Sequence, residues 1–412
     1  MFQISPGVQV REEDLSLIIP SVPVSIGAFV GEFDWGPVNK ISIVDSTETL
    51  ERRFGRPTNQ NAGGYFTVWN FLQYSQDLRL IRVIPDTSTD GPLTAADTLG
   101  NAVSGLTALG GVTPADDGLT EYSLTPAETV IIENEDHFAT LLDTDFVDLG
   151  NSEVAFFYAR YPGERGNKLQ VSVADSASFN DDQNLWNHRD EFAENVLNAD
   201  EMAVLVRLDG VTVETFVGSA DPTSTNANGR ANFIDFIINQ NSDYIYMIPQ
   251  NVYTYDGITL TLQSDLATAV DNGTDQLIEF NLGGSDYTVN SAAQTAMVTG
   301  GWDEFAQAED IDINYCMVGD YDDTVAKYVV QSVAEVRKDC VAFISPTFAD
   351  AVTSATKTTD IVEWRKTDLN INSSYAVMDG NYKLQLDPFN RKYRWVPLNG
   401  DIAGLAARTA EN

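Results

Sequence analysis

The segment VPVSIGAFVGEF, residues 22–33, decides the fold. It is rich in β-branched and aromatic residues, which favour a β-strand, and it stops at the turn Trp35-Gly36-Pro37. Farther along, Asp45 and Glu48 form a capping-box pattern that predicts a short helix, and residues 78–84 predict a second strand. This order of strand, helix and strand is an α/β pattern.

The C-terminal part of the chain returns to the same alternation. Residues 311–318 predict a strand, Asp323 predicts the cap of a helix, and residues 341–344 predict a buried strand. The helix is expected to bury one face, made of Ala326, Val329, Val330, Val333 and Val336. Asp379-Gly380, between two apolar runs at residues 375–378 and 382–386, predicts a β-hairpin.

Charge is distributed in blocks along the 412 residues, whose net charge is −37. Residues 83–159 and 231–326 contain no Lys or Arg and sum to −14 and −16, whereas residues 1–82 and 327–412 sum to −2 and +1. We therefore expect the two nearly neutral ends to fold together, with the acidic middle inserted between them and facing solvent.

The expected architecture is multidomain and combines α/β and α+β units. Residues 1–20 predict an extended N-terminal arm, because their apolar alternation is a strand pattern without a nearby partner. Residues 21–85 plus 310–412 predict a discontinuous α/β core domain. A β-rich outer domain (86–150) and a mixed α+β domain (151–309) are inserted into it, the latter with a hairpin turn at Asp209-Gly210. The alternative is a row of consecutive domains that differ in composition.

Composition argues against several classes of function. Strong acidity disfavours nucleic acid as a partner, because phosphate binding depends on Lys and Arg, and it disfavours adhesion to anionic lipid. No apolar run reaches the ~20 residues that span a bilayer, so no membrane insertion is predicted. The acids at residues 12–14 argue against a signal peptide, and two cysteines, Cys316 and Cys340, fit a reducing compartment.

Residues able to carry catalysis or hold a metal are scarce. The two histidines, His137 and His188, lie in no recognisable nucleophile motif, so no catalytic residue is predicted. The sequence Asp310-x-Asp312-x-Asn314 begins like a calcium loop, but Tyr315 stands where such a loop needs Gly, so neither a metal site nor a cofactor is predicted. The basic cluster Arg391-Lys392-Tyr393-Arg394-Trp395 predicts an interface or a salt-bridged strand.

Short motifs are spread in order over residues 5–409. They include Ser5-Pro6-Gly7-Val8, Ala28-Phe29-Val30-Gly31, Trp35-Gly36-Pro37, Phe54-Gly55-Arg56-Pro57, Arg160-Tyr161-Pro162-Gly163, Gly301-Trp302-Asp303, Asp387-Pro388-Phe389-Asn390, and Gly400-Asp401-Ile402-Ala403-Gly404 with Ala407-Arg408-Thr409. Each is weak alone, but together they resemble the tail sheath proteins of contractile-tailed bacteriophages. Residues 86–150 match poorly, as expected of a variable outer domain.

This resemblance implies a structural subunit rather than an enzyme. Such subunits polymerise as stacked six-fold rings around a tail tube and contract to drive the tube through the host envelope. The implied partners are other sheath subunits, the tail tube protein, the baseplate and the tail terminator. The implied location is the virion tail, with the host cytoplasm during assembly. Because family members continue past the Ala-Arg-Thr segment, the chain is expected to lack the family's C-terminal domain.

Contacts between subunits are expected at two places. One is the arm, through Val8, Val10, Glu12, Glu13 and Leu15, and the other is the basic cluster, through Arg391, Lys392, Arg394 and Trp395. Two other classes of function stay open here. A calcium-dependent, acidic, β-rich adhesin or surface-layer module would explain the acids but not the α/β ends, and a hydrolase would have to use His137 or His188.

Overall fold

The computed structural model describes residues 25–84, 103–104, 132–140, 156–181, 186–226, 228–263, 277–280, 291–309 and 311–411. The predicted arm, with Val8, Val10, Glu12, Glu13 and Leu15, and nearly all of the predicted outer domain 86–150 lie outside these residues. The described part is a mixed α/β structure with several sheets.

Strands and helices alternate at both ends of the chain. The strands are β1 (Gly27–Gly31), β2 (Ser42–Val44), β3 (Leu78–Arg82), β4 (Val103–Ser104), β5 (Phe157–Ala159), β6 (Leu169–Asp175), β7 (Glu201–Leu208), β8 (Val211–Ser219), β9 (Ile245–Met247), β10 (Tyr253–Tyr255), β11 (Leu260–Leu262), β12 (Ile278–Glu279), β13 (Tyr315–Met317), β14 (Val341–Ile344), β15 (Ala376–Met378), β16 (Tyr382–Asp387) and β17 (Lys392–Pro397). The labelled helices are α1 (Thr47–Phe54), α2 (Ala62–Phe71), α3 (Ser176–Phe179), α4 (Ile234–Asn241), α5 (Pro249–Val252), α6 (Ser291–Asp303), α7 (Asp323–Tyr328), α8 (Glu335–Arg337), α9 (Lys357–Trp364) and α10 (Asn399–Glu411). π-Helical turns cover Val329–Ala334, Ala349–Thr353 and Arg365–Leu369.

A six-stranded sheet joins strands from both ends of the chain in the order β15-β14-β13-β1-β3-β2. Strand β1 pairs in parallel with β3 on one side and with β13 on the other, while β2 runs antiparallel to β3. Strand β1 is buried along its whole length, which explains its continuous apolar run, typical of a parallel strand covered on both faces.

Helices cover both faces of this sheet and create two cores. Ala28 and Val30 of β1 lie in one core with α6 and α7, and Trp302 of α6 is fully buried there. Phe29 lies in the other core with α1, α2 and α10. The side chains alternate because successive residues of a strand point to opposite faces.

Helix α10 packs directly on the backbone of α2. A Cβ added at Gly400 would lie 2.2 Å from the carbonyl oxygen of Thr67, and one added at Gly404 would lie 2.6 Å from the ring of Tyr74. Glycine is unfavourable inside a helix, so its presence at two positions one turn apart indicates a packing requirement.

Both predicted helix caps are displaced by one residue. The hydroxyl of Ser46, not the carboxylate of Asp45, accepts from the backbone N–H of Thr49 at 3.2 Å and caps α1. Similarly, Asp322 rather than Asp323 caps α7, since its carboxylate accepts from the N–H of Val325 at 3.0 Å. In each case an adjacent polar residue with similar capping ability competed for the position.

The helix that follows β13 does not bury its whole predicted face. Ala326, Val329, Val330 and Val333 are buried as expected, but Val336 is 63% exposed. The π-helical turn Val329–Ala334 changes the residue spacing, so the next apolar residue rotates out of the face.

The hairpin predicted at Asp379-Gly380 is wrong. Residues before this pair form β15, which pairs in parallel with β14 in the six-stranded sheet, and residues after it form β16, which pairs with β17. The true turn joins β16 to β17 and contains Arg391 with φ of 53°. Asp379 accepts a hydrogen bond from the hydroxyl of Ser345 at 2.6 Å. Asp379-Gly380 is therefore the point where the chain leaves the six-stranded sheet and enters the hairpin of β16 and β17.

The middle of the chain forms a separate antiparallel sheet, in the order β12-β6-β7-β8, with a three-stranded sheet β4-β5-β9 beside it. The predicted hairpin turn at Asp209-Gly210 is confirmed, and both residues have positive φ, 51° and 76°. Among the described residues, no helix is long and apolar enough to span a membrane.

Candidate assembly surface

The basic cluster lies on the two-stranded hairpin of β16 and β17 at the edge of the core. Its inner side packs toward α2 through Val396 and Phe389, the latter in edge contact with Trp69 at 5.4 Å between ring centroids. An ion pair between Asp387 and Arg394, 2.6 Å long and largely buried, closes the hairpin at this side.

Asp387 is held in its charged form by its partners. Burial raises its pKa, but hydrogen bonds from Arg394 and from Asn390 outweigh this effect and leave the pKa below its usual range. Asn390 also donates to the carbonyl of Pro57 at 2.9 Å, which ties the turn to the N-terminal part of the chain. Of the two predictions for the basic cluster, an interface or a salt-bridged strand, the second therefore applies to Arg394.

The outer side of the hairpin exposes apolar side chains. Register places Leu384 opposite Trp395 and Leu386 opposite Tyr393, as two successive cross-strand pairs on one face. These four residues, which we call the hairpin face, are 53%, 44%, 50% and 69% exposed, respectively. An apolar patch of this kind on a monomer is typical of an interaction site.

The predicted interface residues therefore divide between two sides of one hairpin. Trp395 belongs to the hairpin face, whereas Lys392 and Arg394 point to the other side and contact Asn59. Arg391 lies at the turn, is exposed, and makes no hydrogen bond or ion pair within the described part of the chain. The role of these residues as subunit contacts stays a prediction.

A second polar site joins the core sheet to the middle sheet. Arg82, at the end of β3, is buried and donates to the carbonyls of Gly36 and Pro162, both at 2.8 Å. Trp35 is also buried, lies in edge contact with Tyr161 at 5.4 Å between ring centroids, and donates through Nε1 to the carbonyl of Asp243 at 3.2 Å. These residues, which we call the joint, make one packed connection between the two sheets.

Carboxylates gather where the parallel strands end. Glu32 follows β1, Asp320 follows β13 and Asp379 follows β15. Burial raises the pKa of Glu32 to about 7, a hydrogen bond from Gln294 opposes the rise, and the charge of Asp320 adds to it. Burial likewise raises the pKa of Asp379 to about 6. Ionisation of the carboxylates at this edge of the sheet near neutral pH therefore lowers the stability of the folded chain.

Both histidines contact other groups of the chain. His188 is buried against Trp186, 5.7 Å between ring centroids, and its Nδ1 lies 3.3 Å from Arg207. Nδ1 of His137 accepts from the backbone N–H of Glu133, only four residues away. In the region of the calcium-like motif, Asn314 accepts from the N–H of Ile26 at 3.2 Å. Within the described residues, no group of three or more His, Cys, Asp or Glu side chains is arranged to hold a metal ion.

The sequence contained signals for parts of these sites. The joint collects Trp35, Gly36, Arg82 and Pro162, and three of these belong to motifs already singled out, yet nothing in their spacing revealed that they meet. The apolar pairs of the hairpin face were hidden because the turn between their strands was assigned to the wrong position.

Comparison with known proteins finds similarity to phage tail sheath proteins. Residues 25–83 match the family model described as tail sheath protein Gp18 domain III N-terminal region. The tail sheath protein of Vibrio phage KVP40 is 28% identical over 520 residues, which cover 99% of this chain and 74% of that protein. The tail sheath protein of Enterobacteria phage T4 is 25% identical, with 99% of this chain and 73% of that protein covered. The tail sheath protein of Salmonella phage ViI is 26% identical, with 100% of this chain and 70% of that protein covered.

These similarities define a structural protein of a contractile phage tail. The chain is similar over nearly its whole length to tail sheath proteins of bacteriophages, as its motifs indicated, and this similarity supports a structural tail sheath subunit. The alternative of a calcium-dependent adhesin finds no support in these comparisons.

Proposed function

We propose that this chain polymerises as stacked six-fold rings around a tail tube and contracts to drive the tube through the host envelope. Its similarity over nearly its whole length to three tail sheath proteins carries the proposal. Its partners are other sheath subunits, the tail tube protein, the baseplate and the tail terminator. It is located in the virion tail, after assembly in the host cytoplasm.

The domain organisation that we propose suits this role. A core of residues 21–85 plus 310–412 carries the inserted middle domain 151–309 and outer domain 86–150, and the arm 1–20 reaches a neighbouring subunit. The sheet that combines β1 and β3 with β13, β14 and β15 supports a discontinuous core. Trp302 of α6 is buried in the same core as Ala28 and Val30, so α6 packs on the core sheet although its residues fall within the proposed middle domain.

Contraction requires blocks that move as rigid bodies and connections that stay paired while the blocks move. The joint supports a block made of core and middle sheets together, because Arg82 links them by two buried hydrogen bonds and Trp35 by a partly buried one. Sliding then occurs between copies, through surfaces such as the basic cluster and the arm residues Val8, Val10, Glu12, Glu13 and Leu15. The work comes from the assembled lattice, so the chain needs neither a catalytic residue nor a cofactor.

Immunogold labelling of particles tests this assignment. Antibodies raised against the 412-residue chain should label contractile tails along their whole sheath, in extended and in contracted particles, and free chain should compete the label away. Label confined to capsids, fibres or bare tubes would contradict the proposal.

A further inference from the structure

A positively charged side chain, Arg391, lies next to the hairpin face of this strongly acidic protein. Arg391 stands at the turn beside this face and has no ion-pair partner among the described residues, although the net charge of the chain is −37. Two copies of such a chain repel each other unless their contact brings a cation of one copy to acids of the other. Apolar surface next to an unpaired cation therefore favours a partner that is acidic at the point of contact.

The chain itself carries a matching surface just after α6. Asp303, Glu304, Glu309 and Asp312, which we call the acidic turn, are all exposed. Within the described residues, none of these four carboxylates forms an ion pair, and the carboxylate of Asp303 accepts only from the hydroxyl of Tyr328. Small apolar Ala308 is exposed between them, so the acidic turn also offers a surface that apolar side chains can cover.

These two surfaces lie on opposite sides of the six-stranded sheet. The hairpin packs into the core that contains Phe29, through Val396, whereas the acidic turn follows Trp302 and Phe305, which belong to the core on the other side. One copy therefore cannot bring its own two surfaces together. A contact between them joins successive copies head to tail, and head-to-tail contacts build rings or filaments rather than closed dimers.

We infer that the hairpin face of one copy, with Arg391 at its edge, docks onto the acidic turn of a second copy. Leu386 and Tyr393 supply the apolar anchor, and the cation at the turn selects the acidic surface. This inference rests on the proposed function, since it names one contact through which sheath subunits meet.

Sedimentation velocity of the purified chain over a range of concentrations tests the contact. The wild-type chain should self-associate at about 0.15 M salt, where the Debye length of about 8 Å screens the long-range repulsion between the acidic copies and leaves the direct contact at Arg391. A Leu386→Ser and Tyr393→Ser double variant should raise the dissociation constant by at least about tenfold, the loss expected when interface anchors are removed. Ile258→Ser is the matched control and should associate like wild type, because it removes an apolar side chain that is 76% exposed between β10 and β11, away from both surfaces.

A charge exchange gives the decisive result. Arg391→Glu and the double variant Glu304→Arg with Glu309→Arg should each associate at least about tenfold more weakly than wild type. An equimolar mixture of the two should recover association, because the unchanged Arg391 of the turn variant then meets the unchanged acidic turn of the Arg391→Glu variant. Recovery also shows that both variants are folded.

A wild-type chain that stays monomeric at about 0.15 M salt and ~100 μM, where weak specific contacts form, overturns the inference. So does a mixture that recovers nothing, or anchor variants that associate like wild type. These outcomes leave the sheath assignment untouched, because labelling of tails in whole particles decides that assignment independently.

Discussion

Arg82 at the end of β3 donates a hydrogen bond of 2.8 Å to the carbonyl of Pro162, 80 residues later in the chain. A second bond of the same length, to the carbonyl of Gly36, fixes the other arm of the guanidinium. A buried guanidinium needs such partners, because burying an unpaired charge costs on the order of several kcal/mol. Arg82 therefore connects the core sheet to the segment that leads into the middle sheet, beside the contacts made by Trp35.

Replacing Arg82 should uncouple the two sheets. We expect Arg82→Ala to lower the free energy of unfolding by about 3 kcal/mol, because two charge-assisted bonds are lost and two buried carbonyls stay unpaired. Calorimetry should then resolve two transitions in place of one. Arg79→Ala is the control on the same strand, since Arg79 pairs with Asp77 and not with the middle unit. A single, unshifted transition for Arg82→Ala would show that the joint does not couple the sheets.

The crossing of α10 over α2 gives a second prediction. Gly400→Ala should destabilise the core by about 2–4 kcal/mol, because its Cβ would lie 2.2 Å from the carbonyl oxygen of Thr67 and force the helices apart. Gly380→Ala, where a Cβ meets nothing within 4 Å, should change stability by no more than ~0.5 kcal/mol. Denaturant titration of both variants measures the difference, and equal midpoints would contradict the packing argument.

The sequence predicted elements better than it predicted which elements meet. The strand at residues 341–344 and the turn at Asp209-Gly210 were correct, because a short apolar run and a two-residue turn are local signals. Asp379-Gly380 carried the same local signal, but no hairpin forms there. Strand β15 pairs with β14 in the six-stranded sheet and not with β16, its neighbour in sequence. Pairing is decided by tertiary packing, which turn residues alone do not encode.

The candidate surface shows the same limit. The basic cluster was visible as a run of charge, but only the register of β16 with β17 separates Arg394, which pairs with Asp387, from Trp395, which faces outward. Arg82 had no distinguishing signal at all, since a buried arginine and an exposed one look alike in a single sequence.

Glu32 should make the core more stable in mild acid. Its pKa is raised from 4.5 to about 7 in the folded chain, so the folded state binds a proton more readily than the unfolded state between these values. Stability should therefore rise as the pH falls from 8 to 5, by up to about 3 kcal/mol from this group. Chemical denaturation at a series of pH values measures the slope.

Two variants isolate this contribution. Glu32→Gln cannot ionise, so it should be more stable than wild type at pH 8, similar at pH 5, and less dependent on pH between them. Glu48→Gln removes an exposed carboxylate of α1 and should leave the slope unchanged. A Glu32→Gln variant with the full wild-type slope would assign the pH dependence to other groups, such as Asp379, whose pKa burial raises to about 6.

The hairpin should depend on the buried pair of Asp387 and Arg394. Arg394→Met leaves the buried carboxylate uncompensated and should cost about 3 kcal/mol, whereas Asp387→Asn with Arg394→Met should recover part of the loss, because no buried charge remains. Lys327→Met, which breaks a half-buried ion pair with Asp323 one helical turn away, should cost less than about 1 kcal/mol. Because the pKa of Asp387 is lowered, its contribution is present above its unfolded pKa and disappears as the pH falls through the folded value. Denaturation of the wild type, the single variants Asp387→Asn and Arg394→Met, and the double variant at pH 7 and pH 3 therefore gives a coupling energy that shrinks in acid. A coupling that is the same at both pH values would mean that shape rather than charge holds the hairpin closed.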